Sequence, residues 1–146
     1  MASSSESPDR LTPDLLRQLP DHDLPFVVME YVLNQIANDV ERSSEILAQQ
    51  KPHVRALHGA LLLDNEVQNG GFNQFFWNHS NQQVIHALDG LEFLGAADHA
   101  ALLREAMNAA VNQRDQLLPY RLEGTARAFS GSYREGIFDE LDKRYY

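Results

Sequence analysis

Glu66-Val67-Gln68-Asn69-Gly70-Gly71-Phe72-Asn73-Gln74-Phe75-Phe76-Trp77-Asn78 joins two stretches of helical periodicity through a double glycine. Upstream, from about Pro52 to Val67, the spacing of Val54, Leu57 and Leu61 puts all three on one side of a helix. Asn69-Gly70-Gly71 ends that helix. Glycine just past a helix takes the left-handed conformation at little cost, and Asn tolerates it better than most residues. The triplet therefore reads as a C-terminal cap and tight turn, with Gly70 left-handed. Phe72 to Trp77 is aromatic-dense, and its length and helical flanks favour one or two helical turns over a strand. Extended outward, this reading gives an all-α fold: a single compact domain of about six to eight helices, some short, with no significant sheet.

Toward the N-terminus, residues 1–10 are Ser-rich and aperiodic and read as a disordered tail, leaving residues 11–146 as the helical domain. Thr12-Pro13-Asp14 is an N-cap followed by proline at the first helical position, and Pro20 closes that short helix. Asp23 caps the next, whose Phe26, Met29, Leu33, Ile36, Ala37 and Val40 fall within about 100° of arc as a core face, widened by Val28 and Val32. A polar stretch around Ser43 and Ser44 separates it from the Pro52 helix. Toward the C-terminus, Asn81 caps a helix carrying Val84, Ile85, Leu88 and Leu91, and Gly95 stops it. Asp98 caps an alanine-rich helix that Pro119 ends, and Ser130-Gly131-Ser132 marks a loop. Phe138, Leu141 and Tyr145 place a final helix.

Composition narrows the function classes. There is no cysteine, which excludes disulfides, thiolate metal sites and cysteine nucleophiles. No basic n-region leads into an apolar run and no apolar run spans a bilayer, so a cytoplasmic location and no membrane partner are expected. Twenty-one Asp plus Glu stand against 12 Lys plus Arg, a net charge of −9, which argues against direct nucleic-acid binding. The acidity belongs to the front: residues 1–50 carry nine acids and three bases, residues 111–146 six of each.

In the double-glycine block an acid, three asparagines and two glutamines crowd one turn. Glu66 follows Leu62 and Leu63 by one turn, so it is partly covered and needs donors. The free N–H groups at the start of the Phe72 helix are candidates, and Asn69, Gln74 and Asn78 complete a polar network fixing the angle between two helices. Two other readings compete with that architectural one. Glu66 as a general acid or base would need a cleft and a shifted carboxyl pKa. A partner-binding surface would use Phe72, Phe75, Phe76 or Trp77 as anchors.

Glu66-x-x-Asn69-Gly70-Gly71-Phe72-x-Gln74-Phe75-Phe76-x-Asn78, then Leu94-Gly95-Ala96, then Phe138-Asp139-x-Leu141-Asp142, resemble the signature of a bacterial domain family of unknown function that includes a DNA-mimic protein. The resemblance runs from about Val54 onward. It implies a helical fold and, by analogy with that member, an acidic surface that occupies the DNA-binding site of a transcription regulator. A mimic must space carboxylates like phosphates, about one per 1.7 Å of duplex axis. Asp23, Glu30 and Glu41 return to nearly the same helical angle but with axial gaps of about 10 and 16 Å. Asp39, Glu45, Asp64, Asp89, Glu92 and Asp98 from other helices would have to fill the row; alone, Asp23, Glu30 and Glu41 read as a solvated acidic helix face.

Other chemistry finds little support. His22, His53, His58, His79, His86 and His99 contain no zinc-protease spacing and read as surface or capping residues, and phosphate-binding loops and dinucleotide fingerprints are absent. No cofactor or metal is expected. The leading expectation is a non-enzymatic acidic protein that binds a basic, DNA-binding protein partner. An immunity or adaptor protein with another basic partner and a small enzyme using Glu66 are the alternatives. The alanine-rich stripe and the aromatics allow a homodimer.

Overall fold

The computed structural model describes residues 10–146, so the segment read as a disordered tail lies outside the described residues except for Arg10. Its α-helices are α1 (Pro13–Gln18), α2 (Leu24–Asn38), α3 (Ser43–Gln49), α4 (Pro52–Asn78), α5 (Asn81–Phe93), α6 (Ala97–Asn112), α7 (Arg114–Glu123), α8 (Ala126–Ser132) and α9 (Asp139–Tyr145). Short 3-10 turns stand at Val40–Arg42 and Tyr133–Glu135. No strand occurs among the described residues, so the fold is all-α.

α4 organises the rest. It is two helical limbs bent at Gly70 and Gly71. The left-handed residue is Gly71, at φ +71°, whereas Gly70 sits at φ −152°, which any residue adopts. Local propensity cannot choose between adjacent glycines. Packing does: a Cβ on Gly71 would run into the Asp142 carboxylate of α9. The second limb sinks Phe72, Phe75 and Phe76 into the main core with Leu63 and Val67 of the first limb, Leu102 and Leu103 of α6, and Phe138 and Tyr145 at the C-terminal end. Fully burying an aromatic of this size contributes about 1.5–3 kcal/mol, so the turn's aromatics are a principal source of cohesion. That placement removes Phe72, Phe75 and Phe76 as partner-binding anchors.

α5 lies against the first limb of α4 at backbone range. A Cβ on Gly59 would stand 2.5 Å from the His86 carbonyl oxygen, and one on Gly90 would collide with the carbonyl oxygen of Ala56. The two glycines let the helices touch without side chains between them. α5 starts at a capping box in which Ser80 Oγ accepts the Gln83 N–H and Gln83 Oε1 accepts the Ser80 N–H. The cap is therefore Ser80, one residue before Asn81, because only Ser80 has a Gln three positions on.

α2 packs separately. Val28 and Val32 join Val54 in a small second cluster with Ile36 and Leu47 at its margin. Phe26 is 75% exposed and Leu33 50% exposed, contrary to the expected core stripe. Nearly every position from Leu24 to Leu33 is apolar, so periodicity alone admits several faces, and contact with Val54 selects the one at Val28 and Val32. The side chain of Val40 lies outside the described residues.

Four further boundaries differ from expectation for identifiable reasons. The Ser43-Ser44 stretch begins α3, whose Ile46 and Leu47 are partly buried. α6 has Ala96 at its cap and Asp98 in its first turn, where a carboxylate favours the helix N-terminus without capping it. α6 ends at Asn112, and Pro119 lies inside α7; Pro119 and Asp115, whose carbonyl it leaves unbonded, are both solvent-exposed, so water can serve that oxygen. Ser130-Gly131-Ser132 lies within α8, which Thr125 caps and which a buried bond from Asn73 to Ser132 holds in place.

Candidate functional site

The double-glycine bend carries a dense polar network. Glu66, on the first limb of α4, accepts hydrogen bonds from Gln74 Nε2 at 2.9 Å and Asn78 Nδ2 at 3.0 Å, both on the second limb. His79 Nε2 lies 3.1 Å from its other oxygen. Asn69 donates to Gln74 Oε1 at 3.1 Å, closing the circuit across the bend. Burial pushes the Glu66 carboxyl up, but the bonds from Gln74, Asn78 and His79 outweigh it and hold its pKa below the usual glutamate value. Glu66 is thus kept as an ionised acceptor tying the limbs together.

The backbone end of the bend is served from elsewhere. The Phe72 N–H donates to Asp142 Oδ1 at 2.8 Å, so Glu66 does not take it as expected. Tyr133 donates to the Gly70 carbonyl at 2.7 Å, and Asn73 donates to Ser132 Oγ at 2.8 Å. Asp142, Tyr133 and Ser132 went unread as partners because local sequence carries no sign of contacts spanning 59 to 70 positions. The space beside Asn73, Ser132 and Asp142 amounts to about 10 Å³, room for about one water and no substrate. Glu66 itself lines neither this space nor the larger cavity beyond the network, which it meets only through His79.

A larger cavity opens beyond the end of the network. About 750 Å³ lies between the second limb of α4, α5, α6 and α7, bounded by Phe76, His79, Val84, Met107, Val111 and Leu118 together with Arg114 and Arg121. His79 belongs both to this wall and to the Glu66 network. His58 also departs from the surface role expected of the histidines. It is buried, with Nδ1 3.0 Å from His86 Nε2. Burial, then the neighbouring His86 and His79, lowers its pKa to about 4. Among the described residues no group of three or more His, Asp or Glu side chains is arranged to hold a metal, and no helix is long and apolar enough to cross a membrane.

The nine acids singled out divide by environment. Glu30 on α2, Glu41 in the first 3-10 turn, Asp89 on α5 and Asp98 on α6 are exposed and make no ion pair among the described residues. Arg42 pairs with Glu45 at 2.8 Å and with Asp39 at 3.9 Å. Glu92 pairs with Arg104. Asp64 accepts the Tyr145 hydroxyl at 3.1 Å, a contact that locks α9 to α4. Asp23 stands at the N-cap of α2 without a capping bond, 3.4 Å from His22. α2 ends at Asn38, so Glu41 is not on the same helix as Asp23 and Glu30. The single-helix row of Asp23, Glu30 and Glu41 does not form as expected, because Asp39 breaks the helix before Glu41.

No curated protein and no solved structure matches the chain significantly. A family model described as DMP19-like protein matches residues 48–146, about two thirds of the length, from the end of α3 through α9. That span contains the bent α4, the Glu66 network, the Asp142 cap and the main core. The chain belongs to the DMP19-like protein family.

Proposed function

We propose that this protein is a non-enzymatic, acidic binding protein of the cytoplasm that mimics DNA and occupies the DNA-binding surface of a transcription regulator or another basic DNA-binding protein. Membership of a family whose type is a DNA mimic carries the reading. The net charge of −9 supports it, since a chain with 21 acids repels nucleic acid and attracts the surfaces that bind nucleic acid. Glu30, Glu41, Asp89 and Asp98 are the carboxylates to bet on first, because none is engaged by a basic side chain among the described residues. Asp23, Asp39, Glu45, Asp64 and Glu92 would contribute field despite their local partners. The double-glycine block then serves as architecture: it sets the angle of α4 and leaves recognition to the surface.

Affinity purification from native cell extract at low and high salt tests this. Recovery of a basic DNA-binding protein that elutes with salt and is displaced by its own DNA is the expected result. Recovery of a salt-sensitive basic partner indifferent to DNA would replace mimicry with an immunity or adaptor role. A partner held through apolar contacts that salt does not release would overturn both.

A further inference from the structure

The cavity between α4, α5, α6 and α7 has no part in an acidic recognition surface, and its chemistry has the opposite sign. Arg114 and Arg121 stand seven residues apart on α7, two turns along one face, with Leu117 and Leu118 between them. Both line the cavity, and neither makes an ion pair among the described residues although acids outnumber bases 21 to 12 in the chain. Both are solvent-exposed residues at the mouth, and partial burial lowers the pKa of Arg121. Phe76, Val84, Met107 and Val111 make the remaining wall predominantly apolar. His79 contributes its ring to the wall, with Nε2 turned to Glu66.

Arginines often lay their stems along apolar surface and send the charge to water, which would account for one such residue. Two on the same helix face, beside a predominantly apolar wall, suit a ligand that supplies negative charge and apolar surface together. We propose that this cavity binds a small amphipathic organic anion, its apolar body against Phe76, Val84, Met107 and Val111 and its acidic head on Arg114 and Arg121. The volume of about 750 Å³ lies within the range of about 300–1,000 Å³ of small-molecule sites. The Glu66 network has a second consequence here, because it fixes the ring of His79 at the cavity wall.

Isothermal titration calorimetry of the full chain with decanoate, a ten-carbon probe carrying one carboxylate, tests the site. Saturable one-to-one binding is expected, at least about tenfold tighter than 1-decanol, and weakened at least about tenfold in the double variant Arg114→Gln with Arg121→Gln at unchanged melting temperature. Val111→Trp, a change at the exposed rim, should also block decanoate and decides the matter where the arginine variant is less stable. Failure to saturate by about 1 mM, or equal affinity in both variants, overturns the proposal. So does a dimer in sedimentation velocity that the arginine variant dissociates, since the cavity would then be an interface covered by a second copy.

Discussion

The Asp142 carboxylate in α9 accepts the backbone N–H of Phe72 at 2.8 Å, seventy residues earlier, and caps the second limb of α4 from the far end of the chain. The second limb begins at the buried Gly71 and Phe72, where an unmet N–H is costly. Removing the cap with Asp142→Ala should cost about 0.5–2 kcal/mol, read as a lower urea midpoint at constant slope. Asp142→Asn keeps an accepting oxygen and sheds a charge whose pKa burial raises, so it should lose less. Equal stability of the alanine variant and the parent would show that the long-range cap carries no weight.

The same bend separates its two glycines. Gly71→Ala places a side chain at φ +71° and against Asp142, and should destabilise by more than the ~1–2 kcal/mol of a left-handed residue alone. Gly70→Ala meets the Gln74 side chain, including its Cβ, and the Tyr133 hydroxyl, but at a negative φ, and should cost less. Thermal unfolding of the two variants side by side checks the order, and a reversal would place the left-handed residue at Gly70.

Gly59 and Gly90 face backbone, which cannot step aside. Either one changed to alanine should push α5 off α4, with a loss of about 1–3 kcal/mol, the range of overpacked cores. A circular-dichroism melt unchanged in both variants would mean the helices can part freely.

Acid should act on this protein in two windows. An unfolded His58 takes up a proton below about pH 6.5, while the folded one, largely through burial, resists until about 4. Its depressed pKa therefore gives stability that is complete above 6.5 and lost as pH falls toward 4. Glu66, despite the opposing effect of burial, is also depressed by its three donors, so its contribution is present above the ordinary glutamate value of 4.5 and lost as pH falls below that. Melting temperature against pH should flatten between 6.5 and 4 in His58→Gln and below 4.5 in Glu66→Gln. Superimposable curves would remove both groups from the acid response.

Recognition should follow the unpaired acids. Neutralising Glu30, Glu41, Asp89 and Asp98 as Gln or Asn should weaken capture of a basic partner and flatten its salt dependence, with each substitution shifting stability by no more than about 0.5 kcal/mol. Full binding by the quadruple variant would place recognition elsewhere.

The helical class, the break at the double glycine and the grouping of Glu66 with Asn69, Gln74 and Asn78 were readable because each depends on neighbours within about a dozen positions. What chose Gly71 over Gly70, Ser132 over solvent or Val28 over Phe26 is contact with α9, α4 and Val54, far along the chain. The cavity was out of reach for the same reason. Its walls come from four helices, and spacing signals only the pairing of Arg114 with Arg121 on one helix. His79 stands one residue beyond the aromatic block, and nothing in its surroundings marks it as the link between network and cavity.

The Val28, Val32 and Val54 cluster is held apart from the main core, and residues 1–47, with α1, α2 and most of α3, lie before the family match. The front third of the sequence carries nine acids to three bases in residues 1–50, and its described part meets the body through this smaller cluster. Such an attachment leaves the front free to drift in charge and outline over evolutionary time, or to be exchanged by grafting at Val54, while the bent helix and its caps persist unchanged beneath it.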